Sequence, residues 1–351
     1  MNFMTFDHII VGAGIVGAWC FHQLSDQGRV LLLERARAGS GVTGMSGGIV
    51  RVCHDLPERT CAAAEGLEAY RRLIHDSHDM IRFVQSGYLH FSDSVLLAGI
   101  AATVTDYGYE ARLLDKQDIA RFNGLDIRAE AAIYEPGSGY FDGHEVLNAL
   151  ISSGVRQGGT FIDGLSFLRI EECNGKVVGL STGNGRFAAE SVTLCLGVEM
   201  PDFLARHGWD DLGLWNQLIE VVRFTGQRPL PAAPSFYDDF FDINGRHCPV
   251  TGGLYVGHTT HVRTSAGTRR LDLRKDHALK VVELGRRRFG FLDAARASGG
   301  LCHVDCYSYK PLGYVGPIPD APVGTFAVTG FSGGGYKIAP NAARRLMNCL
   351  S

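Results

Sequence analysis

Three glycines and a glutamate near the start of the chain have the residue types and the spacing to bind a dinucleotide. Gly12, Gly14 and Gly17 form a GxGxxG pattern, and Glu34 ends the next apolar run. Glycines permit a tight turn and leave room for a pyrophosphate against the backbone, while a helix N-terminus offers it free N–H groups. Because a carboxylate accepts hydrogen bonds from ribose hydroxyls, Glu34 favours FAD or NAD over NADP.

The segments around these residues predict the β–α–β unit that such a site requires. Residues 8–11 are a short apolar run typical of a buried parallel strand, and the glycines follow it directly. A helical pattern that carries Ala18, Phe21 and Leu24 comes next, and residues 30–33 form a second apolar run. An isolated glycine turn would not need all of these elements, so we interpret the stretch as a dinucleotide site. Arg35 follows Glu34 and slightly weakens the case against NADP.

Length, charge and cysteine content limit the class of protein. The chain has 351 residues, a formal net charge of −3 and nine cysteines. That length predicts two domains, and the absence of a long basic run argues against a nucleic-acid partner. No apolar stretch is long enough to span a membrane, and the first residues lack the pattern of a signal peptide. Since the cysteines show neither CxxC pairs nor metal-ligand spacing, we expect a cytoplasmic protein with structural thiols and no metal site.

Small residues follow the first unit, and alternating patterns fill much of the second half. Residues 38–51 form a long loop of small residues, including Ser46 and Gly47, that would let the backbone approach a ligand closely. Arg51 is the one strong cation near this loop. Four later segments alternate apolar and polar residues, which predicts an antiparallel sheet: residues 215–226, 236–243, 253–261 and 302–309.

Three further predictions concern segments that flank these motifs. Residues 160–170 are predicted to be one strand, joined to the next strand by a turn at Asn174-Gly175. Residues 325–329 predict a buried strand that leads directly into the sequence GFSGGGYK. The last helix is predicted to run from Pro340 to Leu350.

Together these motifs resemble the D-amino-acid-oxidase-like FAD oxidoreductases, and within them the sarcosine oxidase and glycine oxidase branch. The resemblance implies an α/β plus α+β fold of the glutathione-reductase-like type, with a Rossmann-like FAD-binding domain and an antiparallel-sheet substrate domain. The matching stretches are residues 9–35, 40–51, 131–144, 192–197 and 304–350. Both domains would be discontinuous: residues 1–85, 145–215 and 305–351 would bind FAD, and residues 86–144 and 216–304 would form the substrate domain.

The resemblance also implies roles for individual residues. Lys337 stands in GFSGGGYK where sarcosine oxidases carry a lysine that binds the substrate carboxylate, and Arg51 matches its partner in that task. A surface lysine and a structural ion pair are the respective alternatives. The residues implied to contact the cofactor are Gly12, Gly14, Ile15, Val16, Gly17, Glu34, Arg35, Ser46, Gly47, Gly197, Cys306, Gly333, Gly334, Gly335, Tyr336 and Lys337.

Two positions bear on how the flavin would react. Cys306 falls where sarcosine oxidases carry the cysteine that is bonded to the flavin, which implies covalent FAD; the alternative is a buried structural thiol. Tyr255 falls on the position of a lysine that promotes the reaction with O₂ in those enzymes, so the electron acceptor is either O₂ or another molecule. We expect Tyr255, His258 and Tyr309 to line the flavin ring. His258 or His261 would supply a positive charge there, unless they form a polar strand face.

The resemblance therefore implies oxidation of a C–N bond of a small, carboxylate-bearing amine or amino acid, by hydride transfer to flavin N5 to give an imine. Two alternatives stay open. One is an FAD-dependent 2-hydroxy-acid dehydrogenase that uses a histidine as base. The other is a maturation flavoprotein that acts on a residue of a peptide or a partner protein.

Overall fold

The computed structural model describes residues 5–77, 81–266 and 272–350. The strands in these ranges are β1 Thr5–Val11, β2 Val30–Leu33, β3 Ile49–Val50, β4 Phe83–Val84, β5 Tyr88–Phe91, β6 Arg112–Asp115, β7 Ala131–Glu135, β8 Gly139–Phe141, β9 Thr160–Ile162, β10 Phe167–Cys173, β11 Lys176–Thr182, β12 Gly185–Leu194, β13 Leu214–Thr225, β14 Ser235–Asp238, β15 Ile243–Cys248, β16 Gly253–His258, β17 Arg263–Thr264, β18 Arg296–Ser308, β19 Tyr314–Pro317 and β20 Thr325–Thr329. The α-helices are α1 Ile15–Leu24, α2 Val42–Met45, α3 Pro57–Asp76, α4 Ser94–Asp106, α5 Lys116–Arg121, α6 Gly143–Arg156, α7 Met200–His207, α8 Lys275–Arg288 and α9 Gly335–Leu350.

The first sheet contains the predicted β–α–β unit. Its eight strands run in the order β10-β11-β12-β1-β2-β9, with β20 beside β12 and β19 beside β20. Strands β12, β1, β2 and β9 are parallel, and every residue of β2 is buried, as expected for a strand covered on both faces. Helix α1 packs against α6 and α9 on one face of this sheet. The Rossmann-like part of the predicted fold is confirmed.

The second sheet is the predicted antiparallel layer. Its nine strands run in the order β17-β13-β16-β15-β14-β5-β7-β6, with β18 beside β13. All of its pairings are antiparallel except that of β14 with β5. Helix α8 covers one face through an apolar cluster that includes Phe224, Val256 and Val281. A third, small sheet joins β3, β8 and β4. The predicted domain boundaries stay a prediction.

The last helix begins earlier than the sequence predicts. Helix α9 starts at Gly335, so Pro340 lies inside it rather than at its first position. A proline has no N–H, so the carbonyl of Tyr336 lacks its usual helical partner. The hydroxyl of Tyr70 donates to that carbonyl at 2.8 Å and satisfies it. Lys337 is consequently in the first turn of a packed helix, where it is buried.

The strand predicted over residues 160–170 is wrong, because the structure divides it in two. Strand β9 pairs with β2 and β10 pairs with β11, so the two halves lie at opposite ends of the path through the sheet. Gly164, with φ +70°, makes the turn between them. The Asn174-Gly175 turn is confirmed, since both residues have positive φ and join the antiparallel pair β10 and β11.

Candidate active site

A cleft of about 530 Å³ opens at the carboxyl ends of the parallel strands β1, β2, β12 and β20. Open α/β sheets bind ligands at this edge. Most of the residues expected to contact the cofactor line the cleft: Gly12, Gly14, Ile15, Val16, Gly17, Glu34, Arg35, Ser46, Gly197, Cys306, Gly333, Gly335 and Tyr336. Gly47, Gly334 and Lys337 do not line it.

The glycine loop has the shape that a pyrophosphate needs. A Cβ on Gly12, which has φ +105°, would lie 2.5 Å from the Cys195 carbonyl oxygen, and one on Gly17 would overlap the Gly12 carbonyl oxygen. Gly14 precedes α1, and no side chain caps the helix from this position. Thr43, which the sequence reading missed, lies over the loop and accepts a hydrogen bond from the Ile15 N–H at 3.0 Å. In the sequence, the only sign of this role for Thr43 was its position in the loop of small residues.

Glu34 is held by the backbone on both sides. Its two carboxylate oxygens accept hydrogen bonds from the N–H groups of Ala13 at 2.8 Å and Ala36 at 3.0 Å. A carboxylate has further lone pairs, so Glu34 can still accept bonds from ribose hydroxyls at the cleft wall. Arg35 forms an ion pair with Glu199 at 2.5 Å. Its positive charge is therefore already paired, and a 2′-phosphate of NADP would have to compete for it. The cleft therefore fits FAD. The pyrophosphate of FAD would contact the glycine loop, and its ribose would contact Glu34.

The C-terminal wall of the cleft contains a buried thiol and a half-buried carboxylate. The Thr329 hydroxyl is 3.7 Å from Cys306 Sγ, and burial raises the pKa of that thiol to about 12. Asp305, which the sequence reading missed, accepts hydrogen bonds from the N–H groups of Cys306 at 2.8 Å and Gly333 at 3.0 Å. Burial also raises the pKa of the Asp305 carboxyl. The thiol is thus protonated at neutral pH, and a covalent bond to FAD stays a prediction.

Arg51 and Lys337 form a pair of cations beside the cleft. The Arg51 guanidinium lies 4.5 Å from the centre of the Tyr88 ring and donates to the Cys53 carbonyl, but it pairs with no carboxylate in the described ranges. Lys337 is 8% exposed, and its ammonium has neither a hydrogen bond nor an ion pair there. Burial, and then the charges of Arg51 and Arg59, lower the pKa of Lys337 to about 7. The structural ion pair and the surface lysine considered as alternatives are therefore not what the described structure contains.

Glu135 positions the segment that carries Arg51. Its carboxylate is 1% exposed and accepts hydrogen bonds from the N–H groups of Val52 at 2.9 Å and Cys53 at 2.9 Å. Burial raises the pKa of this carboxyl. The residue lies in the stretch 131–144 that resembles the family, but nothing in its local sequence distinguished it from a surface acid. It was recognised only through contacts with a distant part of the chain.

The structure does not bring Tyr255 and His258 together. Along a strand, residues three positions apart point to opposite faces. Tyr255 pairs with Arg246 on the face away from α8, whereas His258 packs edge-on against His277 of α8 at a ring distance of 5.4 Å. The expectation that both line the flavin ring is therefore corrected.

His261 and Tyr309 also lie outside the cleft wall. The His261 side chain is 78% exposed, and its Nε2 is 3.9 Å from a carboxylate oxygen of Asp242. Tyr309 is exposed, and its hydroxyl accepts a hydrogen bond from Arg263 at 3.0 Å. Neither contact brings the side chain toward the residues that surround Arg51 and Lys337.

Two histidines that the sequence reading missed lie near Arg51. His90 is buried, and its Nε2 is 2.9 Å from a carboxylate oxygen of Asp239. His54 is also buried and lies close enough to Arg51 and Lys337 for both charges to lower the pKa of its imidazole. Within the described ranges, no three His, Cys, Asp or Glu residues are grouped to hold a metal ion, and no helix is long and apolar enough to cross a membrane.

Comparisons with known proteins agree with the fold and with FAD as the cofactor. A family model described as "DAO: FAD dependent oxidoreductase" matches residues 7–348. The uncharacterized oxidoreductase YurR of Bacillus subtilis (strain 168) is 27% identical over 95% of this chain and 91% of its own length. Monomeric sarcosine oxidase of Bacillus sp. (strain B-0618) is 24% identical over 72% of this chain and 65% of its own. The crystal structure of L-proline dehydrogenase from P. horikoshii has a TM-score of 0.85 at 17% identity, covering 99% of this chain and 94% of that one. The predicted fold, FAD as cofactor and the resemblance to the sarcosine oxidase branch are confirmed.

Proposed function

Because this chain belongs to the DAO family of FAD-dependent oxidoreductases, we propose that it oxidises a C–N bond of a small amine or amino acid that carries a carboxylate. FAD, when bound, supplies the redox chemistry by accepting two electrons from the substrate. The protein must then bind the substrate, orient its reacting C–H bond and exclude water. The residues beside the cleft are suited to the first two tasks.

The observation that supports this proposal is the unpaired ammonium of Lys337 next to Arg51. A buried charge without a partner is unfavourable, so its presence suggests that a ligand completes the site. A substrate carboxylate would accept hydrogen bonds from both cations, and two anchors fix its orientation better than one. The Tyr88 ring and the bonds from Glu135 to the following backbone hold the Arg51 side chain and segment in place.

The names of the relatives suggest which amines to test first. Sarcosine and proline are both amino acids with a secondary amine next to a carboxylate. One relative is named an oxidase and the other a dehydrogenase, so either O₂ or another acceptor could take the electrons. An N-alkyl amino acid is therefore the first substrate class to test, with O₂ and with an artificial electron acceptor.

The experiment uses purified FAD-loaded protein and a panel of secondary and primary amino acids, each paired with its carboxamide. We expect turnover of a carboxylate substrate and at least about 100-fold lower kcat/KM for its amide, because a charged hydrogen-bonded pair is lost. The Arg51→Met and Lys337→Met variants should raise KM by a similar factor, whereas Lys116→Met at the surface should not. Unchanged KM in the Arg51→Met, Lys337→Met double variant would contradict the carboxylate site.

The His90–Asp239 pair favours a second candidate, a 2-hydroxy-acid dehydrogenase. Asp239 holds Nε2 of His90, and the other ring nitrogen, Nδ1, is 3.9 Å from Cys53 Sγ. Nδ1 would act as a base for a substrate hydroxyl that replaces this weak thiol contact. Turnover of 2-hydroxy acids, with loss of rate in His90→Gln and indifference to O₂, would support this candidate over amine oxidation. Turnover confined to amines would exclude it.

A further inference from the structure

His54 lies close to Arg51 and Lys337, and we call these three residues the cation cluster. Two independent contacts hold the backbone of His54 in place. It follows the two backbone N–H groups that bond to Glu135, and its own carbonyl accepts a hydrogen bond from the Thr60 hydroxyl of α3 at 3.3 Å. Helix α3 packs so closely on α9 that a Cβ on Gly66 would overlap the carbonyl oxygen of Lys337. The segment that follows Arg51 and the helix that carries Lys337 are thus both held against α3, the first through the carbonyl of His54 and the second at Gly66.

The imidazole of His54 has an unused polar atom. Its side chain is 7% exposed, and its Nε2 has no hydrogen-bond partner in the described part of the chain. Most buried polar atoms in folded proteins have a partner, so this one needs an explanation. Burial, and then the charges of Arg51, Lys337 and Arg59, place the pKa of His54 well below its ordinary value. The ring is therefore neutral at physiological pH and carries one N–H.

The charges around His54 indicate what its missing partner is. The acids near the cluster are already engaged: Glu135 bonds to Val52 and Cys53, Asp305 to Cys306 and Gly333, and Asp239 to His90. Arg51 and Lys337 have no carboxylate partner among the described residues. The local field is therefore positive, which favours an anion over a cation or a neutral acceptor.

We propose that His54 donates a hydrogen bond from Nε2 to the substrate carboxylate, as a third donor beside Arg51 and Lys337. This inference rests on the proposed function, because it extends the same carboxylate site. The two cations neutralise the anion, and a neutral imidazole adds a donor without burying another charge. An anionic partner also selects the tautomer with its proton on Nε2. His54 is thus a binding residue that sets the geometry of the carboxylate.

The test measures binding of propionate, which has a carboxylate and no amine, to the FAD-loaded enzyme through the change in flavin absorbance. His54→Leu should weaken propionate about tenfold, since it removes a hydrogen bond to a charged group. His54→Gln should stay within about threefold of the wild type, because its amide nitrogen can donate from nearly the same place. His22→Leu is the matched control: His22 also has a buried ring nitrogen without a partner, but it lies on α1.

Arg51→Met and Lys337→Met separate this inference from the proposed function. Normal propionate binding in both variants would overturn the carboxylate site itself. Loss of binding in both with full binding in His54→Leu would overturn only the role of His54. A defect in His54→Leu that appears with an N-methyl amino acid but not with propionate would assign His54 to the amine and also overturn the proposal.

A second measurement does not depend on the variants folding. In wild-type enzyme with ¹⁵N-labelled histidine, propionate should shift the Nε2 resonance of His54 and keep its directly bonded proton, while the His22 resonances stay in place. A His54 Nε2 resonance that does not respond to saturating propionate would contradict the assignment.

Discussion

The cofactor cleft and the cation cluster beside it satisfy their polar groups in opposite ways. In the cleft, Glu34 bonds to backbone N–H groups of Ala13 and Ala36, and Arg35 pairs with Glu199. In the cluster, Lys337 is a buried residue whose ammonium has no hydrogen bond or ion pair among the described residues. The Nε2 of His54 is a buried atom without a partner there. The cleft is a preformed surface, whereas the cluster keeps unfavourable buried charge that a ligand can relieve. We infer that stability is concentrated in the first region and binding energy in the second.

The largest effect is expected from a substitution that disrupts the cofactor cleft. Gly17→Ala would drive a Cβ into the Gly12 carbonyl oxygen, so the loop and helix α1 must separate. We expect FAD content to fall more than tenfold and the free energy of unfolding to fall by about 3 kcal/mol or more. The measurements are flavin absorbance per protein and urea unfolding.

Gly41→Ala is the matched control for that change. Gly41 lines the same cleft, but a Cβ placed on it would meet no atom within 4 Å. It should retain FAD and stability close to the wild type. If the Gly17 and Gly41 variants behave alike, the close approach at Gly17 is not what preserves the cleft.

An opposite change of stability is expected from the cluster. Lys337→Met removes a buried ammonium whose pKa is about 7, below the value of 10.5 for a free lysine side chain. The folded state binds fewer protons than the unfolded state between these values, so the destabilisation is complete below pH 7 and disappears as the pH rises toward 10.5. The variant should therefore melt several degrees above the wild type at pH 6 and at nearly the same temperature at pH 10.

The same variant should lose carboxylate binding, so stability and affinity change in opposite directions. Thermal melting in carboxylate-free buffer, compared across pH, checks the first part of this prediction. A variant that melts below the wild type at pH 6 would show that Lys337 is satisfied within the folded protein. Propionate titration at pH 6 checks the second part.

The smallest effect is expected from a substitution at Glu135, which positions the backbone after Arg51. Glu135→Gln replaces one acceptor oxygen by an NH₂ group that faces the N–H groups of Val52 and Cys53. We expect KM to rise about tenfold through displacement of Arg51, with a smaller change in kcat, because one buried hydrogen bond is lost and the donors remain. Steady-state kinetics with the best substrate of the panel gives both values.

Glu145→Gln is the control, since Glu145 also accepts a backbone N–H, from Arg82 at 3.0 Å, but at the protein surface. It should leave KM within twofold of the wild type. Equal falls in kcat and kcat/KM in Glu135→Gln would instead mean that the carboxylate acts in the transition state and does not only position the segment after Arg51.

Features encoded over a short stretch were predictable from the sequence. The strand, glycine loop, helix, strand and acid of residues 8–34 are consecutive, and each has a local pattern, so the part of the cleft formed by Gly12, Gly17 and Glu34 was predictable. The alternation of residues 253–258 was also visible, and it should have separated Tyr255 from His258. Local patterns gave a wrong result where a residue type occurs in two settings, since a proline can either begin a helix or lie inside one. Pro340 is tolerated inside α9 because the Tyr70 hydroxyl donates to the carbonyl of Tyr336, which the proline leaves without a helical partner.

The sequence by itself thus determined the cofactor class and the identity of the two cations, because consecutive motifs carry both. Only the tertiary structure decided that Lys337 is buried without a partner, that Glu135 holds the backbone after Arg51, and that His54 lies in the same cluster. Desolvation and charge interactions depend on atoms from α3, α9, β7 and β18, which are distant along the chain. The physical state of these groups is therefore a property of packing, and no local pattern contains it.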